Sequence, residues 1–209
     1  MQSVKNIVKS LILIFQKKIN FLIPIYGTKD SQSPVTFKMW FIQKILGFNR
    51  KAYWPVHHTS EVGGPENILI GVDAAVGISP GCYIQGGGKV YIGDYTQVGP
   101  NVGIISANHD PHDNSKAVKG VVRIGEYCWI GMNSVITPNV ELGDFTIVGA
   151  GSVVTKSFSD GFCIIAGNPA KKIKELDPSK CIRKKNDTEY IGYYTKEQFK
   201  KYRKRKLKV

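Results

Sequence analysis

Along the second half of the chain an aliphatic side chain returns at every sixth position, at Ile124, Ile130, Ile136, Leu142, Val148 and Val154. Glycine follows it at Gly125, Gly131, Gly143 and Gly149, and a small residue stands four positions after it at Cys128, Ser134, Thr146 and Ser152. An earlier tract carries the same pattern at Ile70-Gly71, Val76-Gly77 and Cys82, then, after a slip, at Ile92-Gly93, Val98-Gly99 and Ile104. Neither a helix, with its 3.6-residue period, nor plain strand alternation produces a period of six. Three flat sides of six residues close a triangular coil of about 18 residues whose aliphatics point inward and whose successive turns pair as parallel strands. The pattern predicts an all-β parallel β-helix over residues 55–176.

The ends read differently. Val4, Ile7, Val8, Leu11, Ile12, Ile14 and Phe15 recur at helical spacing and predict an amphipathic helix over 3–19. A second helix is predicted over 36–47, with Phe37, Trp40, Phe41, Ile45 and Phe48 on one stripe and Gly47 at its end. The run Leu11–Phe15 is too short for a spanning helix or a signal-peptide core. Either helix has three possible partners: its own protein, a partner subunit or a membrane surface.

Charge sharpens this division. Of the formal +13, residues 1–58 contribute nine Lys/Arg and one acid, 59–170 five and ten, and 171–209 fifteen and five. Nineteen of the 22 glycines fall in the middle segment, which is therefore Gly-rich and weakly acidic between two basic ends. Three regions follow: 1–54, helical and basic; 55–176, the β-helix; and 177–209, a basic and partly helical C-terminal extension. The composition, 42% hydrophobic and 22% charged, excludes wholesale disorder, collagen and a disulfide scaffold. Cys82, Cys128, Cys163 and Cys181 lie far apart with no C-x-x-C pair, as expected of reduced, mostly buried thiols in a cytoplasmic protein.

The repeat is interrupted once by an expelled loop, 106–122, whose polar stretch Ser106–Asn114 holds two of the four histidines. Loops expelled from a regular scaffold are where function is sought. An alcohol is a poor nucleophile until its proton is accepted, and imidazole accepts one at neutral pH.

The repeat, Asn108-His109-Asp110 in the loop, Trp129-Ile130-Gly131-Met132, the stretch Ile147–Lys156 and Ala166-Gly167-Asn168-Pro169-Ala170-Lys171 together resemble the hexapeptide-repeat O-acetyltransferases. The loop and the stretch Phe37–Trp54 are most similar to enzymes of colanic-acid and capsular polysaccharide synthesis, and the later segments to the maltose and galactoside types. The resemblance implies a left-handed coil, homotrimers with sites between subunits, acetyl-CoA as co-substrate and no metal. It makes His109 the general base in direct transfer of acetyl to a sugar hydroxyl, with Asn108, Asp110, Gln85 and His112 binding or orienting the acceptor. A backbone carbonyl or Asp110 is then expected to hold the second nitrogen of His109. Trp129, Gly131, Met132, Ala150, Thr155, Lys156, Lys171 and Lys172 are assigned to CoA, with the Met132 amide facing the oxyanion and the lysines the phosphates.

The implied acceptor is a sugar or lipid-linked glycan in a bacterial surface-polysaccharide precursor, whether of capsule, exopolysaccharide or O-antigen. Basic ends and an amphipathic N-terminal helix suit peripheral contact with the anionic inner face of a membrane. Two other readings compete. A nonenzymatic scaffold would bind polyanions through Lys200–Lys206, though no recognised nucleic-acid module accompanies that run and no nucleic-acid partner is expected. A γ-type carbonic anhydrase would need a third zinc ligand beyond His109 and His112, for which only His57 and His58 remain.

Overall fold

The structure, a computed structural model, describes residues 22–209. The helix predicted over 3–19 lies outside the described residues.

Three flat faces wind around one core. β1 (Glu61–Gly63) lies on the first face and β2 (Ile68–Ile70) on the second, and β3 (Tyr83–Gln85), β4 (Lys89–Ile92) and β5 (Gln97–Val98) continue over first, second and third. β6 (Gly103–Ile105) returns to the first face, where a hairpin of β7 (Ala107–His109) and β8 (Ala117–Lys119) leaves the coil. β9 (Val121–Ile124), β10 (Trp129–Ile130) and β11 (Val135–Ile136) make the next turn. Another follows in β12 (Glu141–Leu142), β13 (Thr146–Val148) and β14 (Val153–Val154). β15 (Cys163–Gly167) ends the parallel stack on the third face, and β16 (Ala170–Glu175) folds back on it antiparallel.

The six-residue aliphatics form three columns. Ile92, Ile124 and Leu142 align on the second face, Val98, Ile130 and Val148 on the third, and Ile104, Ile136 and Val154 on the first. All nine are at most 3% exposed. The register slip falls elsewhere than the sequence pattern suggested: Ile84, not Cys82, stacks on Ile104. Cys82 takes the small position beside Val102 instead, because the turn between Val76 and Ile84 is longer than six residues. Three of the four thiols are buried, and burial pushes that of Cys128 up to about 12.

The basic ends fold together over the N-terminal end of the prism. α1 (Leu22–Gly27) leads to α2 (Phe37–Trp40), capped by Thr36, whose hydroxyl accepts from Met39 N at 3.2 Å. The helix continues as a π-turn, Phe41–Leu46, and stops at Gly47 in the left-handed region, φ 96°. The element predicted over 36–47 is present, but its stripe is turned outward. Phe41, Ile45, Leu46 and Phe48 are 41–58% exposed, while Gln43 is fully buried. Its amide nitrogen donates to the carbonyl oxygens of Asn49, Ala52 and Trp54, and its oxygen accepts from Val56 N and the Tyr193 hydroxyl.

The C-terminal extension is a strap and a cap rather than a free tail. Arg183 reaches Glu126 at 2.7 Å and Asp144 at 2.6 Å while lying over the rings of Tyr127 and Phe145. Asn186 donates to Asp73 at 2.6 Å and its backbone N–H to the Tyr95 hydroxyl at 3.1 Å, so the chain climbs back along the corner between second and third faces. β17 (Tyr190–Ile191) and β18 (Tyr194–Thr195) form a hairpin, and α3 (Lys196–Lys206) begins with a capping box of Thr195 and Gln198. Phe199 of α3 is 5% exposed and packs on Tyr53, ring centroids 5.2 Å apart.

If α3 is part of the folded unit, Phe199→Ala costs about 3 kcal/mol. Urea denaturation checks this, and an unchanged midpoint would mean that α3 is detached in solution.

Candidate active site

The hairpin leaves the corner between first and second faces because the coil above makes room for it. There Gly86-Gly87-Gly88 turns the chain, and a Cβ on Gly88 would lie 2.1 Å from the Gly120 carbonyl oxygen and 2.4 Å from that of Ser106. The root is closed by Gly120 N donating to Ser106 O at 2.7 Å. Buried Ser106 donates its hydroxyl to the Gln85 carbonyl and accepts from Gly88 N at 2.9 Å. Gln85 Oε1 accepts from Ala107 N at 2.8 Å. Its amide oxygen is thus occupied at the hairpin root, where the resemblance assigned it to the acceptor.

At the tip, Asp110 Oδ1 accepts from His112 N at 2.8 Å and Asp113 N at 3.2 Å, and Asp113 pairs with Lys116 at 2.9 Å. These bonds shape the turn that carries His109. The His109 Nδ1 lies 2.6 Å from the Asn114 carbonyl oxygen. A carbonyl only accepts, so Nδ1 carries a proton, and in the neutral ring Nε2 is the nitrogen with the lone pair. Of the two partners expected for that nitrogen, the backbone carbonyl holds it and Asp110 does not. Side chains alternate along a strand, so in β7 Asn108 and His109 project from opposite sides of the hairpin. The exposed side chain of His112 sits on the turn beyond.

The segments assigned to CoA occupy another corner. Trp129 is exposed on the third face, and Met132 follows at the corner between third and first faces. Gly151 N donates to the Met132 carbonyl at 2.8 Å, which sets Met132 and exposed Ala150 on adjacent coils. Gly131 is dictated by the coil, since a Cβ there would meet the Val148 carbonyl oxygen at 2.6 Å. Thr155 and Lys156 are exposed after β14, with the Lys156 ammonium 5.8 Å from the Phe158 ring centre. On β16 Lys171 is exposed, and Lys172 is held by Glu175 at 3.0 Å, which raises its pKa. His109 and the Met132–Ala150 pair therefore stand at different corners of one chain. His57 and His58 lie apart from both, ring against ring at 4.3 Å beside Phe48. Among the described residues, no three His, Cys, Asp or Glu side chains converge as a metal site.

Two contributors were not legible beforehand. Asn114 acts through its carbonyl, which no residue type encodes. The role of Gly86-Gly87-Gly88 at the hairpin root depends on a contact with a coil more than thirty residues later in the chain, at Gly120.

With this geometry in hand, residues 122–156 match the family described as bacterial transferase hexapeptide (six repeats). Over 79 residues the chain is 42% identical to nodulation protein L of Rhizobium meliloti (strain 1021), a match covering 35% of this chain and 42% of that protein. It is 43% identical over 79 residues to nodulation protein L of Rhizobium leguminosarum bv. viciae, covering 35% and 40%. The chain thus spans less than half the length of these curated relatives.

Two crystal structures share the fold at 23% identity. A hexapeptide-repeat containing acetyltransferase of Vibrio cholerae O1 biovar eltor, complexed with acetyl coenzyme A, aligns with a TM-score of 0.54 over 72% of this chain and 83% of that one. A maltose O-acetyltransferase from Clostridium difficile 630 aligns with a TM-score of 0.52 over 79% and 89%. The fold is the parallel β-helix of these structures, and they, together with the repeat matched over residues 122–156, imply the left-handed sense of the coil.

Because Gly88 has backbone on two sides, Gly88→Ala is expected to cost about 1–3 kcal/mol by overpacking. Hydrogen exchange should show protection lost in β7 and β8 but kept in the β9–β14 core; intact β7 protection would disprove the packing argument.

Proposed function

We propose that this protein is an acetyl-CoA-dependent O-acetyltransferase acting on a sugar hydroxyl of a surface-polysaccharide precursor. The observation that carries the reading is the His109 tautomer: a proton fixed on Nδ1 by the Asn114 carbonyl leaves Nε2 as an acceptor on an exposed hairpin. In the reaction, Nε2 takes the proton of the acceptor hydroxyl as its oxygen attacks the thioester carbonyl. The tetrahedral oxyanion needs a donor, and the Met132 N–H makes no hydrogen bond among the described residues. Collapse expels CoA thiolate, which recovers the proton from the imidazolium. Small Ala150 leaves backbone open to a thin pantetheine arm, and Lys156 and Lys171 suit its phosphates.

One chain cannot complete this site. A face of about five extended residues is roughly 16 Å wide, so the corner bearing His109 is beyond reach of the corner bearing Met132. We therefore assign the site to two neighbouring copies in a homotrimer. His109→Ala should lower kcat by about 10²–10⁴-fold with acetyl-CoA binding retained. Ala150→Trp should block acetyl-CoA itself. Reassembling the two inactive variants in equal amounts should restore about a quarter of the sites, since one site in four then draws both intact residues from different subunits. No recovery would defeat the shared site, and near-normal turnover by His109→Ala alone would defeat the mechanism.

The cap fits a peripheral membrane address. Phe41, Ile45, Leu46 and Phe48 project beside the exposed Lys38, Arg50 and Lys51, the combination that seats an amphipathic segment on anionic lipid. The protein should co-sediment with phosphatidylglycerol vesicles and not with phosphatidylcholine vesicles, and Phe41→Asp with Ile45→Asp should leave it in the supernatant. Equal recovery with both vesicle types would rule this out.

A further inference from the structure

A pocket of about 490 Å³ opens in the cap, walled by Ile23 and Pro24 of α1, Tyr190, Tyr193 and Tyr194 of the β17–β18 hairpin, and Tyr202 of α3. Lys201, Arg205 and Lys206, from one side of α3, complete the lining. No carboxylate lines it, and among the described residues none of the three cations is ion-paired. The carboxylates around it are engaged elsewhere: Glu189 with Lys196, Glu66 with Lys208, and Glu197 in the first turn of α3. Tyr194 and Tyr202 stack at 4.9 Å and form a flat apolar wall behind the charges.

Three unneutralised cations on a wall of rings fit one ligand chemistry: a diphosphate esterified to a flat or apolar group. The placement adds to this. Lys208 N donates to the Glu66 carbonyl at 2.7 Å, so the end of α3 sits at the corner between β1 and β2. The hairpin bearing His109 leaves that same corner two coils below, about 10 Å away at strand spacing.

We propose that this pocket holds the diphosphate carrier to which the acceptor glycan is attached, so that the sugar descends along the corner toward His109. The carrier is a nucleoside diphosphate or an isoprenoid diphosphate, both of which present this chemistry. The assignment of the glycan rests on the acetyltransferase reading; the binding of an organic diphosphate does not.

The test is calorimetric titration of the full chain without acetyl-CoA, using UDP and farnesyl diphosphate as probes and inorganic pyrophosphate and farnesol as controls. One organic diphosphate should bind about tenfold or more tightly than either control, and its identity separates nucleotide from isoprenoid carrier. Binding should weaken as salt rises. The triple variant Lys201→Gln, Arg205→Gln, Lys206→Gln removes only exposed charges and should lose about tenfold in affinity, while Lys180→Gln, Lys184→Gln, Lys185→Gln should bind as the wild type does. Failure of both probes to bind, or equal binding by the two triple variants, overturns the proposal. Binding that follows this pattern in a protein that never transfers acetyl supports the pocket and sinks the catalytic reading alone.

Discussion

Everything in this molecule depends on how closely successive coils approach at their corners. Between second and third faces a Cβ on Gly93 would lie 2.5 Å from the Gly125 carbonyl carbon, and one on Gly125 would lie 2.6 Å from Asp144 N. Only glycine lets backbone stack on backbone at strand spacing there. Two residues on, the chain enters the left-handed region at Tyr95, Tyr127, Phe145 and Phe162, φ 43–58°, at a cost of about 1–2 kcal/mol each. Those rings stack face to face at 5.0–5.3 Å, a contribution of about 0.5–1.5 kcal/mol per pair that offsets much of the strain. Arg183 lies over the middle of the ladder and bridges Glu126 and Asp144. The C-terminal strap is therefore a response to the corner.

This explains what was legible in the chain and what was not. The period of six is a local consequence of corner geometry, so Ile124 to Val154 disclosed the prism and its core directly. Where a turn departs from six residues the pattern loses its phase, and Cys82 was put in a column that Ile84 occupies. The helix over 36–47 was visible from its stripe, yet its facing was not, because five hydrogen bonds to Gln43 fix the buried side. Helical periodicity reports that one face is apolar, and not which partner it meets. His109 was visible as a histidine in a break of the repeat. Its tautomer rests on a carbonyl, and its position on a contact between Gly88 and Gly120, neither of which composition or spacing encodes.

Rigidity at the corners also limits where chemistry can be placed. A coil held by parallel pairing on three faces and packed aliphatics cannot bend one corner toward another. Variation is confined to segments that leave the coil, and the largest, 107–119, is itself a paired hairpin with a turn fixed by Asp110 and Asp113. A reactive group so placed is preorganised, and its partners must come from a surface equally fixed. On the reading proposed above, that surface is the next copy of the same prism.

The net charge of +13 then acquires a direction. Residues 190–209 hold eight Lys/Arg and one acid, and the described part of the first region, 22–58, holds five and one; both pack over the same end of the prism. The coils between are weakly acidic. At physiological ionic strength charges are screened beyond about 8 Å, less than two coils of the stack. A ligand at the cap therefore meets an uncompensated basic surface, whereas one at the far end is governed by a few local groups such as Lys171 and the Lys172–Glu175 pair. The total describes neither encounter, and the fold gathers two basic chain ends, far apart in sequence, into one basic end of the prism. Any anionic partner drawn by long-range charge would be delivered to that end, above the corner from which the His109 hairpin emerges.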